Sequence, residues 1–206
     1  NKSPLNAWYD RSLLEKCVRN RFIYSSSLSS QAIIDGFNIS KIAPKVSVFN
    51  PSVARNLIKN YLDEYSEIFD PFSGFSGRML GACSLDKKYI GQDINELHVN
   101  ESNEIIHFLQ LDATVIQKNI FESSGEYECL FTCSPYNLKE TWGNENQIDL
   151  SCDEWIDECL KRFKCEKYLF VVDKTEKYKD YIVKEIKNKS HFGENFEKVI
   201  VYKRKT

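Results

Sequence analysis

Apolar positions change their period several times along the 206-residue chain. From Val53 they recur at three and four residues, through Ala54, Leu57, Ile58, Tyr61, Leu62 and Tyr65, which predicts an amphipathic helix. Ser52, with Pro51 before it, reads as its cap. Dense apolar runs follow at Ile68-Phe69, Tyr89-Ile90, His107 to Leu111, Cys129 to Phe131 and Tyr168 to Val172; each reads as a strand, and the last is fully apolar, as expected of a central parallel one. Four of these predicted strands run into a polar residue or a thiol: Asp70, Asp93, Asp112 and Cys133. Helices are predicted between them, from Arg78, over Asn95 to Glu104, and briefly from Thr114. A Ser151–Glu154 capping box starts another, with Cys152, Trp155, Ile156, Cys159, Leu160 and Phe163 on one face. Tyr178 to Lys187 reads as an amphipathic helix, and the segment from His191 to Lys203, turning at Gly193-Glu194-Asn195, as a closing hairpin.

The part before Phe49 has a different texture. Asn6 to Arg21 reads as a helix, 25–30 as a serine-rich turn, and Ala32 to Phe37 as a short helix ended by Gly36. Residues 1–48 are therefore taken as a helical arm and 49–206 as one α/β domain with a mostly parallel sheet. In such sheets ligands bind at the carboxyl ends of the strands. Asp70, Asp93, Asp112 and Cys133 all fall there in this reading, so four scattered residues become one site.

Composition narrows the classes. The formal net charge of −2 advertises no nucleic-acid partner, so such a contact needs a local basic face. Arg11, Lys16, Arg19 and Arg21 read as a solvated helix face, with phosphate contact the sharper alternative. The seven cysteines are odd in number and contain no C-x-x-C pair, as for reduced thiols in a cytoplasmic protein. Cys152, Cys159 and Cys165 have helical rather than zinc-ligand spacing, so no metal is expected. No run is long and apolar enough to span a membrane, and no secretory signal is visible. The chain begins at Asn1 rather than Met, which leaves room for a longer polypeptide.

The chemistry concentrates in two stretches. Phe69-Asp70-Pro71-Phe72-Ser73-Gly74-Phe75-Ser76-Gly77-Arg78 is a strand, a glycine turn and a helix start. Such a turn lets backbone N–H groups approach a ligand. Asp93 follows about twenty residues later, where nucleotide-binding βαβ units place the acid that holds ribose hydroxyls. The second stretch is Cys133-Ser134-Pro135-Tyr136.

Together these stretches resemble the amino-methylating (adenine-N6 and cytosine-N4) DNA methyltransferases that use S-adenosylmethionine, in particular the phage-type adenine-specific methylases. The resemblance covers roughly Phe49 to Lys205. It implies a class I (Rossmann-like) methyltransferase fold, with seven strands and the last reversed. It implies that Asp70, Pro71, Phe72, Gly74 and Gly77 form the cofactor loop, with Asp70 near the methionine amino group. Asp93 would hold the ribose and Ile94 pack on the adenine. Asp112 and the Ala113 N–H would meet the adenine edge, and Phe49, Asn50 and Pro51 would fold over the methionine end. In the family, the first tetrapeptide side chain and the next carbonyl accept hydrogen bonds from the target amine, and the aromatic ring stacks on a flipped base. Cys133, the Ser134 carbonyl, Pro135 and Tyr136 match those positions.

Two departures stand out. Cys133 is a poor acceptor where the family has Asp, Asn or Ser, and Ser134 replaces a proline. The alternatives to a DNA adenine methyltransferase are therefore an RNA-base or protein-glutamine methyltransferase, or an inactive homologue serving as a subunit. A thiolate mechanism on cytosine C5 would need a Pro-Cys pair on a preceding strand, which the chain lacks. Double-stranded DNA is the expected partner. Its recognition would fall to a missing N-terminal part, a partner subunit, or the N-terminal arm with the Asn137–Leu150 loop.

Overall fold

The computed structural model describes residues 4–24, 29–40, 42, 48–135, 150–190 and 193–203. They fall in two compact units, Asn1–Ser47 and Val48–Thr206. The first unit holds three helices: α1 (Pro4–Tyr9), α2 (Arg11–Tyr24) and α3 (Ser30–Ile39). The single helix expected over Asn6 to Arg21 is broken at Asp10. Asp10 Oδ1 accepts the Ser12 and Leu13 N–H groups at 3.1 and 3.3 Å and so starts α2 afresh. Gly36 does not end α3. It lies inside the helix, where a Cβ would come within 2.5 Å of Cys17 Sγ, so glycine serves close helix packing there. Ala7, Cys17 and Phe37 form the small core of this unit.

The second unit begins with α4 (Pro51–Tyr61), capped by Asn50 rather than Ser52: the Asn50 side chain accepts the Ser52 N–H at 2.9 Å. The strands of its seven-stranded sheet are β1 (Glu67–Asp70), β2 (Lys88–Asp93), β3 (Ala113–Gln117), β4 (Cys129–Cys133), β5 (Lys167–Val172), β6 (Ile182–Ser190) and β7 (Gly193–Lys203), and Gly125–Glu126 pairs with Phe163–Lys164 in a separate two-stranded ribbon. The helices between them are α5 (Gly77–Cys83), α6 (Glu96–Leu109) and α7 (Cys152–Arg162), the last started by the expected capping box. The sheet order is β3-β2-β1-β4-β5-β7-β6. All neighbours are parallel except those of β7, which runs antiparallel to both β5 and β6.

Strand alternation fills both faces. Ile68, Tyr89, Cys129, Phe131, Leu169 and Val171 pack under α4, α5 and α6. Phe69, Leu130, Tyr168, Phe170 and Val172 pack under α7, against Trp155, Ile156 and Cys159. The order reverses between β1 and β4: β2 and β3 continue to one side, and β4 returns to the other. The crevice of an open α/β sheet lies at that switch point, outside the carboxyl ends.

Three expected elements are different. The apolar run from His107 is not a strand: α6 continues to Leu109, with Ile105 and Ile106 packed against the core three and four residues after buried Ser102, while Phe108 and Leu109 are exposed. Thr114 starts no helix; it lies within β3, whose Val115 is the buried residue of an alternating strand. Tyr178 to Lys187 is a 3-10 turn (Lys179–Tyr181) leading into β6, where β-branched Ile182 and Val183 favour the extended chain. No helix among the described residues is long and apolar enough to cross a membrane.

Candidate active site

The glycine turn leaves β1 at Asp70 and enters α5 at Gly77. Gly74 has φ +54, in the left-handed region, and space around it is open: the nearest atom to a Cβ would be Phe72 O at 3.9 Å. Gly77 is held for the opposite reason. A Cβ there would lie 1.9 Å from the Phe49 carbonyl oxygen, so the segment before α4 rests directly on the turn. Ser76, between them, takes φ 62 although it is not glycine, and its buried hydroxyl meets Ser102 Oγ at 2.6 Å. A left-handed non-glycine residue stores backbone strain of the kind found at ligand-binding turns.

Asp70 is placed differently from the expectation. Its carboxylate is completely buried and takes four donors: Arg78 Nε at 2.6 Å, Tyr89 OH at 2.7 Å, Thr132 Oγ1 at 2.6 Å and the Phe72 N–H at 3.1 Å. A carboxylate has roughly four acceptor sites, so it has none left for a methionine ammonium. Arg78 also donates to the Phe72 carbonyl, and its guanidinium lies 5.3 Å from the Phe49 ring centre. Burial works to lower the Arg78 pKa, but the Asp70 charge outweighs it and raises it. Tyr89 is pushed far above its ordinary value by burial first and by Asp70 second, so its phenol is a fixed neutral donor. The network joins β1, β2, β4 and α5. It was missed in the sequence, although an arginine opening the otherwise apolar run Gly77-Arg78-Met79-Leu80 needs a buried partner.

Asp93 ends β2 and is 5% exposed. Its Oδ2 accepts the Gly74 N–H at 2.8 Å, and its Oδ1 accepts the Asn95 N–H at 2.9 Å. His98 Nδ1 lies 3.6 Å from Oδ1, and the His98 ring packs on Phe75 at 4.2 Å between centres. Burial raises the Asp93 pKa, but hydrogen bonds from His98, Asn95 and Gly74 outweigh it and hold the carboxyl below its ordinary value. Ile94, next in the chain, is 46% exposed and can offer an apolar face to a ligand.

Asp112 is not at this end of the sheet. Because β3 begins at Ala113, paired with Tyr89, both Asp112 and Ala113 lie at the amino end, where the Asp112 carbonyl accepts the Tyr89 N–H. The carboxyl end of β3 is Gln117. Lys118 N–H binds the Asp93 carbonyl there, and Asn119 follows, its Oδ1 accepting the Phe121 N–H at 3.0 Å. The signal for this position was the Asn119 cap after the alternating run Ala113 to Gln117.

β4 brings Cys133 to the same end, beside β1. Cys133 is partly buried against the cluster that includes Phe49 and Phe131, whereas Ser134 is buried and its hydroxyl has no hydrogen-bond partner among the described residues. Ser73 in the glycine turn has the same property. Pro135 follows at intermediate burial, while Tyr136 and the loop to residue 149 lie outside the described residues. Asn50 and Pro51 serve the start of α4, with Phe49 edge-on to Phe131 at 5.8 Å. Among the described residues no group of three or more His, Cys, Asp or Glu could hold a metal.

No protein-family model and no curated protein matches the chain by sequence. Solved structures do match by shape. PH1948 of Pyrococcus horikoshii, provisionally assigned as an RNA methyltransferase, aligns with TM-score 0.56 at 9% identity, over 75% of this chain and 82% of its own. Magnesium protoporphyrin IX methyltransferase (ChlM) of Synechocystis PCC 6803, solved with bound S-adenosylmethionine, aligns with TM-score 0.54 at 12% identity, over 97% and 94%. HI0767 of Haemophilus influenzae, provisionally assigned as a methylase, gives 0.53 at 14% identity, over 73% and 97%. The chain has the class I methyltransferase fold. In the sheet order given above, Gly74, Asp93 and Cys133-Ser134-Pro135 follow the carboxyl ends of β1, β2 and β4, beside the switch point.

Proposed function

We propose that the chain is an S-adenosylmethionine-dependent methyltransferase that acts on an exocyclic amine of a nucleobase, with adenine N6 in double-stranded DNA as the target. The observation that carries this reading is the side-by-side position of two turns at the switch point. Pro71–Gly77 and Cys133–Pro135 leave neighbouring parallel strands, and Asp70 and Thr132 hydrogen-bond beneath them. The residues fit the cofactor in outline. The left-handed Gly74 opens backbone to a ligand, Asp93 retains acceptor capacity, Ile94 is exposed, and the orphaned Ser73 hydroxyl is a polar atom awaiting a partner.

When bound, S-adenosylmethionine supplies an electrophilic methyl group on a sulfonium. The chain's own residues do the rest. The turn Pro71–Gly77 and the Phe49-Asn50-Pro51 segment resting on it enclose the methionine end. Asp93 accepts from ribose hydroxyls, and Ile94 covers the base of the adenosine. Asn119 takes the place first given to Asp112, and Asp70 with Arg78 holds the two turns in register from below. The Ser134 carbonyl and its neighbours accept the amine N–H groups as nitrogen becomes tetrahedral and positive.

The test is mass spectrometry of nucleosides from unmethylated DNA and RNA incubated with the protein and S-adenosylmethionine, with calorimetry for cofactor binding. The expected product is N6-methyladenine in DNA. Methylation confined to RNA moves the substrate to the class provisionally assigned to PH1948. Cofactor binding without any methylated base overturns the reading in favour of a non-catalytic homologue.

A further inference from the structure

We infer that the Ser134 side-chain hydroxyl, not the Cys133 thiol, is the side-chain acceptor that touches the target amine. This inference rests on the amine-methyltransferase reading above. It begins from a process of elimination at the end of β4. Thr132 Oγ1 is committed to Asp70 at 2.6 Å. Cys133 offers a sulfur, a weak acceptor, and packs against the apolar cluster that contains Phe49 and Phe131. Pro135 has no polar side-chain atom. Ser134 offers an oxygen with two lone pairs and, among the described residues, no partner, in a residue 2% exposed.

Leaving a buried hydroxyl unpaired destabilises the fold. Alanine or the family's proline would avoid that cost, so the hydroxyl is best explained by a ligand that completes it. The position fits one: it lies one residue beyond β4, on the strand that neighbours β1 and its glycine turn. The methyl-transfer step balances without further components than the sulfonium methyl donor. The amine lone pair forms the N–CH3 bond while the S–CH3 pair returns to sulfur, which leaves a neutral thioether. Positive charge grows on nitrogen, whose N–H bonds polarise toward the Ser134 oxygen and the Ser134 carbonyl, and the surplus proton then passes to water. The hydroxyl accepts a hydrogen bond and stays protonated, so it needs no base. A serine at the second tetrapeptide position thus compensates for a cysteine at the first.

The experiment compares Ser134→Ala with the wild-type chain. It uses steady-state methylation of the DNA or RNA found to be the substrate, calorimetric titration with S-adenosylmethionine, and thermal unfolding. Loss of one charge-stabilising hydrogen bond is expected to lower kcat by roughly 10–100-fold. Cofactor affinity should hold within about twofold, and the melting temperature should be unchanged or raised, because an unsatisfied hydroxyl has been removed. Unchanged kcat overturns the inference and leaves the methyltransferase reading intact. A fall of more than about 5 °C in melting temperature also overturns it, since the hydroxyl would then have a structural partner. A wild-type chain that binds cofactor but methylates nothing overturns both.

Discussion

Asp70 and Asp93 end neighbouring parallel strands at the same edge of the sheet, and both are buried, yet they do different work. Asp70 spends its acceptor sites on Arg78, Tyr89, Thr132 and the Phe72 N–H, which come from α5, β2, β4 and the turn. Asp93 takes two backbone N–H groups, from Gly74 and Asn95, and His98 as a longer third donor at 3.6 Å. The first acid is a clamp beneath the crevice, and the second shapes its wall while keeping room for another donor. Position at a strand end therefore does not identify a ligand-binding acid; the number of donors already satisfied does.

Alanine at the two positions should separate the roles. Asp70→Ala strands the Arg78 guanidinium, which is 6% exposed, and removing one partner of a buried pair costs about 3–5 kcal/mol. Urea unfolding should register that loss. Asp93→Ala should cost about 1–2 kcal/mol of stability while weakening S-adenosylmethionine binding by roughly 10–100-fold, the worth of hydrogen bonds to a charged group. Equal stability losses would erase the distinction. The pH dependence sharpens it. Asp93 is held below its ordinary value of 3.8, so its contribution is fully present above that value and is lost as pH falls through the lower folded value. Asp93→Asn should flatten that acid limb of the stability curve.

The comparison also marks what the sequence could reveal. Strands β1, β2, β4 and β5 were legible because an apolar run between polar boundaries leaves little choice, and the glycine turn and Asp93 because their spacing is set by one βαβ unit. Asp70 looked like a ligand residue because its partners are scattered: Tyr89 and Thr132 lie 19 and 62 residues away. No local pattern announces such contacts. Asp112 failed for a different reason. The run His107 to Leu111 reads as a strand when taken alone, but Ile105 and Ile106 just before it pack under the sheet and carry the helix on to Leu109. A closing antiparallel hairpin was legible, but its turn was set at Gly193-Glu194-Asn195, which lie within β7, and its first strand was read as a helix because Ile182, Val183 and Ile186 have helical spacing.

The two glycines of the turn repeat the contrast at smaller scale. Gly77→Ala drives a Cβ to 1.9 Å from the Phe49 carbonyl oxygen, a backbone atom with no rotamer to escape into. The Phe49-Asn50-Pro51 segment must shift, at a cost near the top of the roughly 1–3 kcal/mol range for overpacking. Cofactor affinity should fall with it. Gly74→Ala meets no atom closer than 3.9 Å and pays only for its left-handed φ, about 1–2 kcal/mol. Thermal unfolding and cofactor titration of the two variants should rank Gly77→Ala as the more damaging in both; the reverse order would mean that the turn, and not its contact with Phe49, sets the crevice.

The smallest effect is expected at Asp112. It precedes the five-residue strand β3 and so lies at its amino end, while Asn119 lies beyond its carboxyl end. A strand rises about 3.3 Å per residue, so the two sites are roughly 16 Å or more apart along the sheet. A hydrogen bond to an adenine amino group needs about 3 Å. Asp112→Asn should therefore change S-adenosylmethionine affinity by less than about twofold. Asn119→Ala should weaken it several-fold, because it also loosens the cap on the Phe121 N–H beside the crevice. Calorimetric titration of both variants decides the matter. A larger loss at Asp112 would return the strand to residues 107–111 and restore Asp112 to the cofactor, and the present register of β3 against β2 would then be wrong.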